Sequence, residues 1–168
     1  MAQIPSAQIA DHKNTHQTWL GPKISYQAGP KVSIFVDVQN IYYTTKQQFN
    51  SNFDYNKFWK LVTHQREVVG AFAYATSRGD AKQTQFQNIL RAIGFEVKLK
   101  PFINRSDGSS KGDWDVGITI DIMEYASKSD FIVLASGDGD FDILIRRIRA
   151  LYNLSLIHIW RFRRYSLC

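Results

Sequence analysis

From residue 31 onward, blocks of continuous apolar residues alternate with blocks of helical periodicity. VSIFVDVQN (Val32 to Asn40) begins as an unbroken β-branched and aromatic run, the pattern of a strand buried on both faces. DYNKFWKLVTHQ follows as a helix, with Asp54 as N-cap and Phe58, Leu61 and Val62 at helical spacing. VVGAFAYAT (Val68 to Thr76) reads as a second buried strand. The next helix lies in DAKQTQFQNILRAIG, capped by Asp80, with Phe86, Ile89, Leu90 and Ile93 on one face and Gly94 as the stop. FEVKLKPFI alternates apolar and charged positions, so it is expected at a sheet edge with one wet face. NRSDGSSKGDWD is rich in turn residues and reads as a polar loop. WDVGITIDIMEYAS is expected to be a helix despite its β-branched residues, and DFIVLAS a further buried strand. FDILIRRIRALY closes the pattern as an amphipathic helix: Phe141, Leu144, Ile145, Ile148 and Leu151 face inward, Arg146, Arg147 and Arg149 outward.

Strands alternating with helices predict right-handed crossovers on a central parallel sheet, with helices on both faces. Residues 1–30 lack this periodicity and read as a flexible polar leader, with a short strand or turn near WLGPKISY. The leader has no basic and apolar segments of a secretion signal, and no apolar run reaches the roughly 18 residues of a membrane span. The single cysteine, Cys168, excludes a disulfide framework and a cysteine zinc site, which points to a reducing, cytoplasmic setting. The formal charge is +6, but three of those positive charges are Arg161, Arg163 and Arg164 in a stretch without acids. The remaining excess permits a polyanionic partner without demonstrating one.

The chemistry is concentrated in acids at the ends of strands. In an open parallel sheet, sites form beyond the carboxyl ends of the strands. Asp37 follows SIFV, with Asn40 three residues on; Asp138 and Asp140 follow IVLAS; Asp113 and Asp115 stand where a loop becomes a helix. If the first and fourth strands are neighbours, these carboxylates converge, and their repulsion is relieved most cheaply by a hard divalent cation with oxygen ligands. Such an ion acidifies water and stabilises charge on a phosphodiester. Structural roles compete: Asp142 is expected to cap or solvate its helix, Asp113 to be mainly structural, Asp80 and Asp107 to serve caps and turns, and Asp121 to be a surface or supporting residue as readily as a ligand. His12, His16 and His64 stand apart from the acids, and no nucleophile elbow or phosphate-binding glycine loop is present.

Three segments in order, IFVDVQNIYY, KGDWDVGITIDIMEYA and FIVLASGDGDFDILI, resemble the NYN domain family of the PIN-like nuclease superfamily, in particular its bacterial LabA-like branch. The resemblance spans about residues 31 to 152. It implies a three-layer α/β/α PIN-like fold with a central parallel sheet and a divalent-metal-dependent ribonuclease. On that reading Asp37, Asp115, Asp138 and Asp140 are the catalytic carboxylates and hold Mg²⁺ or Mn²⁺. Asn40 would orient Asp37 or bind a phosphate, Lys111 would neutralise a phosphate oxygen, Ser136 would bond a metal ligand, and Asp121 would be accessory. Arg78, Lys82, Arg105 and Lys111 would line an approach for RNA, and Tyr43 would stack a base, with Tyr42 more readily packed in the core. The implied partner is RNA, with no membrane, and a homodimer is compatible. A regulatory or scaffold domain with little turnover is the alternative. A phosphotransfer receiver or a haloacid-dehalogenase-like phosphatase fits poorly, because VDVQN lacks their early second acid.

The NYN domain is expected over residues 31–153. The segment LSLIHI within residues 154–168 resembles a translated transposon-end sequencing adapter, so this tail is expected to be non-native and the fold C-terminally truncated. A missing last strand would leave a sheet edge unpaired, and SLIHIW is apolar and β-branched enough to occupy it.

Overall fold

A computed structural model describes residues 29–77, 79–101, 103–104, 110–111, 113–152 and 154–158. The elements in chain order are β1 (Lys31–Asp37), α1 (Val38–Phe49), α2 (Tyr55–Thr63), β2 (Glu67–Ser77), α3 (Ala81–Ile93), β3 (Glu96–Pro101), β4 (Ile103–Asn104), β5 (Ser110–Lys111), α4 (Asp115–Ala126), β6 (Phe131–Ala135), α5 (Phe141–Tyr152) and β7 (Ser155–His158). Five strands form one sheet in the order β3-β2-β1-β6-β7. All four pairings are parallel.

The two-residue period of the strands splits the core in two. Val32, Ile34 and Val36 of β1 point to one face, where they meet Ile41 of α1, Phe58 and Val62 of α2 and Leu90 of α3. Phe35 points the other way, onto Ile118 and Ile122 of α4 and Ile145 and Ile148 of α5. The result is the expected three-layer α/β/α architecture. Phe35 sits at the centre of the second face, its ring 5.6 Å from Phe72 and 6.1 Å from Tyr125.

The caps follow the sequence. The carboxylates of Asp54 and Asp80 accept from the amides of Lys57 and Gln83, at 2.9 and 2.7 Å. Gly94 ends α3 at φ +127°, in the region that favours glycine, and its amide donates to the carbonyls of Leu90 and Arg91. β3 is an edge strand, but its exposure does not follow the apolar-charged alternation: Leu99 is 40% exposed, while Lys98 and Lys100 are half-buried.

Further local expectations change. The strand stops at Asp37, and Val38 starts α1, which buries Val38, Ile41 and Thr45 at helical spacing. The β-branched and aromatic residues around it masked that helix, whose remaining positions are mostly polar. Leu61, Ile89 and Leu151 lie on the outer sides of their helices, 44%, 48% and 48% exposed, because each helix offers the sheet a stripe narrower than the apolar pattern. Tyr42, expected in the core, is 56% exposed and packs edge-on against Tyr43. The polar loop contains a short antiparallel pair, β4 with β5. The open edge of β6 is filled by β7, in register from Phe131 with Ser155 to Leu134 with His158.

Candidate metal and nucleic-acid site

Between β1 and β6 the chain switches direction across the sheet: β2 and β3 extend to one side and β7 to the other. The following segments part there and open a crevice at the carboxyl ends of the strands. Asp37 is the last residue of β1 and the N-cap of α1. One carboxylate oxygen accepts from the amide of Asn40 at 3.1 Å; the other accepts from the Ser136 hydroxyl at 3.4 Å. The strand therefore delivers the acid, and the helix and the β6 turn orient it.

The Asn40 side chain holds that turn in place. Its carbonyl accepts from the amide of Gly137 at 2.7 Å and from the hydroxyl of Thr44 at 3.1 Å. Gly137 has no Cβ for a reason: one built there would stand 2.7 Å from Thr44 Oγ1 and 2.9 Å from Asn40 Oδ1. Gly137→Ala is expected to destabilise the fold by about 1–3 kcal/mol in urea unfolding and to displace the turn that carries Asp138. A variant with unchanged midpoint would show that the clamp yields freely. The turn itself is closed by the Ser136 hydroxyl accepting from the Asp138 amide and by Asp138 Oδ1 accepting from the Asp140 amide.

Asp115 is the first residue of α4. This helix start has no side-chain cap and is held instead by Trp114, whose indole N–H donates to the Ala75 carbonyl at 3.0 Å. Tyr74 packs against the Trp114 ring, and the Lys100 ammonium lies 5.5 Å from its centroid while donating to the Asp113 carbonyl. Trp114 thus ties α4 to β2.

Asp37, Gln39, Asn40, Tyr43, Asp113, Trp114, Asp115 and Asp138 line a cleft of about 250 Å³. Burial pushes the Asp37 carboxyl up to about 6; the Asn40 amide opposes this, and the charges of Asp115 and Asp138 add to it. Asp115 is also held above the usual carboxylate range, by burial first and then by Asp138, Asp113 and Asp140. Among the described residues, no lysine or arginine forms an ion pair with Asp37, Asp115 or Asp138.

These features bear on the expected cation. The donors are all oxygens, they repel one another, and they come from three separate elements. Among the described residues, no three carboxylate, histidine or cysteine side chains stand close enough together to hold a metal ion as they are placed. By donor chemistry the set suits a hard divalent ion that keeps most of its water shell, the habit of Mg²⁺, better than zinc.

The structure therefore brings together Asp37, Asp115, Asp138, Asn40, Ser136 and Tyr43. Asp140 is exposed and does not line the cleft, although its charge reaches Asp115. Asp121 is turned away: its Oδ2 accepts from the Tyr74 hydroxyl and from the Lys98 ammonium, both at 2.6 Å. Asp142 sits in the first turn of α5, 3.9 Å from Arg146. Lys82 is exposed on α3 and does not line the cleft. Arg78 and Arg105 lie outside the described residues, as does the side chain of Lys111. Sequence reasoning set Asp113 aside and overlooked Gln39 and Trp114. The place of Gln39, two residues after a strand-end acid, was the available signal.

A parallel α/β/α sheet with carboxylates gathered where β1 and β6 diverge and where α4 begins defines the PIN-like class. The chain belongs to the NYN domain family: the family's model, described as "NYN domain", matches residues 31–160. It is similar to the low amplitude and bright protein LabA of Synechococcus elongatus, with 30% identity over 128 residues, covering 71% of this chain and 68% of that protein. It is also similar to a solved structure, a protein of unknown function (VPA0982) from Vibrio parahaemolyticus. That likeness has a TM-score of 0.74 and 54% identity, covering 79% of this chain and 82% of the other. The family is of nuclease type. No helix among the described residues is long and apolar enough to cross a membrane.

Proposed function

We propose that this domain is a divalent-metal-dependent ribonuclease that hydrolyses RNA phosphodiester bonds in the cleft. One observation carries the reading: four carboxylates, one of them almost fully buried, line one cleft, and no described lysine or arginine forms an ion pair with any of them. Burying a carboxylate unpaired is costly, and a site that does so is matched to a cationic ligand.

Asp37, Asp115 and Asp138 would hold Mg²⁺ or Mn²⁺, with Asp113 and Asp140 at the margin. When bound, the ion supplies a water of lowered pKa and neutralises charge on the phosphodiester. The chain's own part is positioning. Asn40 and Ser136 fix the Asp37 carboxylate, the Asn40 carbonyl fixes the Asp138 turn, and Trp114 fixes Asp115. Tyr43, 45% exposed on the cleft wall, offers a face on which a base can stack. The amides that open α1 favour an anion near the same place.

Cleavage of a mixed RNA pool tests the reading. The purified chain is expected to cut with Mn²⁺ or Mg²⁺, to stop with chelator, and to lose activity on the order of a thousandfold in Asp138→Asn. Wild-type turnover in both Asp138→Asn and Asp37→Asn would rule out this site. Absence of cleavage above background in the folded wild type would favour a scaffold role for the same cleft. Metal binding has its own readout: Tb³⁺, a probe for oxygen sites, should luminesce on tryptophan excitation, sensitised by Trp114 in the cleft wall, and lose most of that signal in Asp37→Asn and in Trp114→Phe.

A further inference from the structure

Among the described residues, one buried side-chain nitrogen or oxygen has no hydrogen-bond partner, Oε1 of Gln39. Buried polar groups are ordinarily paired, so an orphan on the wall of a cleft calls for an explanation. Gln39 is the second residue of α1, half-buried, and lines the cleft beside Asp37, Asp115 and Asp138. Its neighbour Asn40 shows the contrast: that carbonyl accepts two hydrogen bonds and is fully engaged in holding the β6 turn. The fold uses one of two adjacent carboxamides and leaves the other unbound.

An unpaired acceptor selects the chemistry of its partner. The ionised carboxylates around it have no hydrogen to give, and neither has a phosphodiester. A deoxyribose offers no donor beside its phosphate, whereas the ribose 2′-hydroxyl does, and it is the group that marks RNA. The terminal torsion of a glutamine side chain is broad, so Oε1 can turn into the cleft without breaking any bond.

We infer that the Gln39 carboxamide accepts a hydrogen bond from a ribose 2′-hydroxyl of the bound strand, and that it discriminates RNA from DNA. This rests on the ribonuclease reading above and names the sugar contact of that site.

The experiment compares wild type and Gln39→Leu on RNA and DNA of one sequence, and on the RNA carrying single 2′-deoxy substitutions. The leucine keeps the side chain's bulk and removes its polar end. Expected is a fall in kcat/KM of about tenfold on RNA with no more than a twofold change on DNA. One 2′-deoxy position should cost wild type about tenfold and cost the variant little. Equal losses on RNA and DNA, or an unchanged RNA rate, would overturn the inference. So would a weakened Mn²⁺ affinity in Gln39→Leu, which would mean that the oxygen faces the water shell of the ion. If wild type cuts neither polymer, the hydrolysis reading fails by itself, and equilibrium affinity for the same oligonucleotides decides the contact. An RNA preference lost in Gln39→Leu supports it, and no preference in wild type sinks it.

Discussion

Asp37→Asn is expected to abolish RNA cleavage and at the same time to stabilise the metal-free protein. The two effects share a cause. Asp37 is 7% exposed, and burial raises its carboxyl from the ordinary 3.8 to about 6. Between those values the folded chain keeps a proton that the unfolded chain releases. Stability therefore falls as pH rises from about 4 to about 6, and above that the whole penalty is present. At about 1.4 kcal/mol per pKa unit, it amounts to roughly 3 kcal/mol at neutral pH. The asparagine carries no charge, fills the same space and retains an oxygen for the Asn40 amide. In chelator, urea unfolding should show the variant more stable by roughly 2–3 kcal/mol at pH 7 and no more stable than wild type near pH 3.5. A variant less stable at pH 7 would mean that the carboxylate is balanced in the fold after all. Mg²⁺ should then stabilise wild type and leave the variant unmoved, because only a ligand that binds the folded state shifts the equilibrium. Mn²⁺ affinity of wild type should also weaken below about pH 6, as protons compete for the same oxygens.

Asp121→Ala is expected to damage the fold and spare the cleft. Its carboxylate holds Lys98 and Tyr74 at once, with the side chains of Lys98 and Asp121 only 28% and 16% exposed. Removing it leaves an ammonium over the Phe72 ring, 4.6 Å from its centroid, and a tyrosine hydroxyl with no acceptor. Breaking such a pair from one side should cost about 2–4 kcal/mol in denaturant unfolding, somewhat less than a fully buried pair. Replacing both partners, Asp121→Leu with Lys98→Met, should recover part of that loss, since no charge is then stranded. Mn²⁺ affinity, measured well below the unfolding midpoint, should stay within about twofold of wild type. A tenfold loss would place Asp121 among the groups that act on the ion.

These contrasts show how far the one-dimensional pattern reaches. The alternation of buried runs with 3.6-residue periods was enough to expect a parallel sheet covered on both faces, because a strand buried on both sides has no polar positions to show. The caps at Asp54 and Asp80 and the stop at Gly94 were legible because they depend on neighbours three or four residues away. The same holds for Asp37 as a strand-end acid. The helix at Val38 was hidden because β-branched and aromatic residues spell strand locally, while the Asp37 cap that starts it lies at the end of the preceding strand.

The sequence by itself determined the class of fold, the strand ends and the chemical identity of the acids. It could not decide which acids meet, since that depends on β6 lying beside β1 across about a hundred residues of intervening chain. Only the tertiary arrangement turns Asp121 toward Lys98 and Tyr74, leaves Asp140 at the rim and brings Asp113 to the cleft. It also gives Asn40 two partners and Gln39 none. The physical reason is the same in each case: a side chain's chemistry is written in its residue type, but its charge state and its free valence are set by neighbours that the fold supplies.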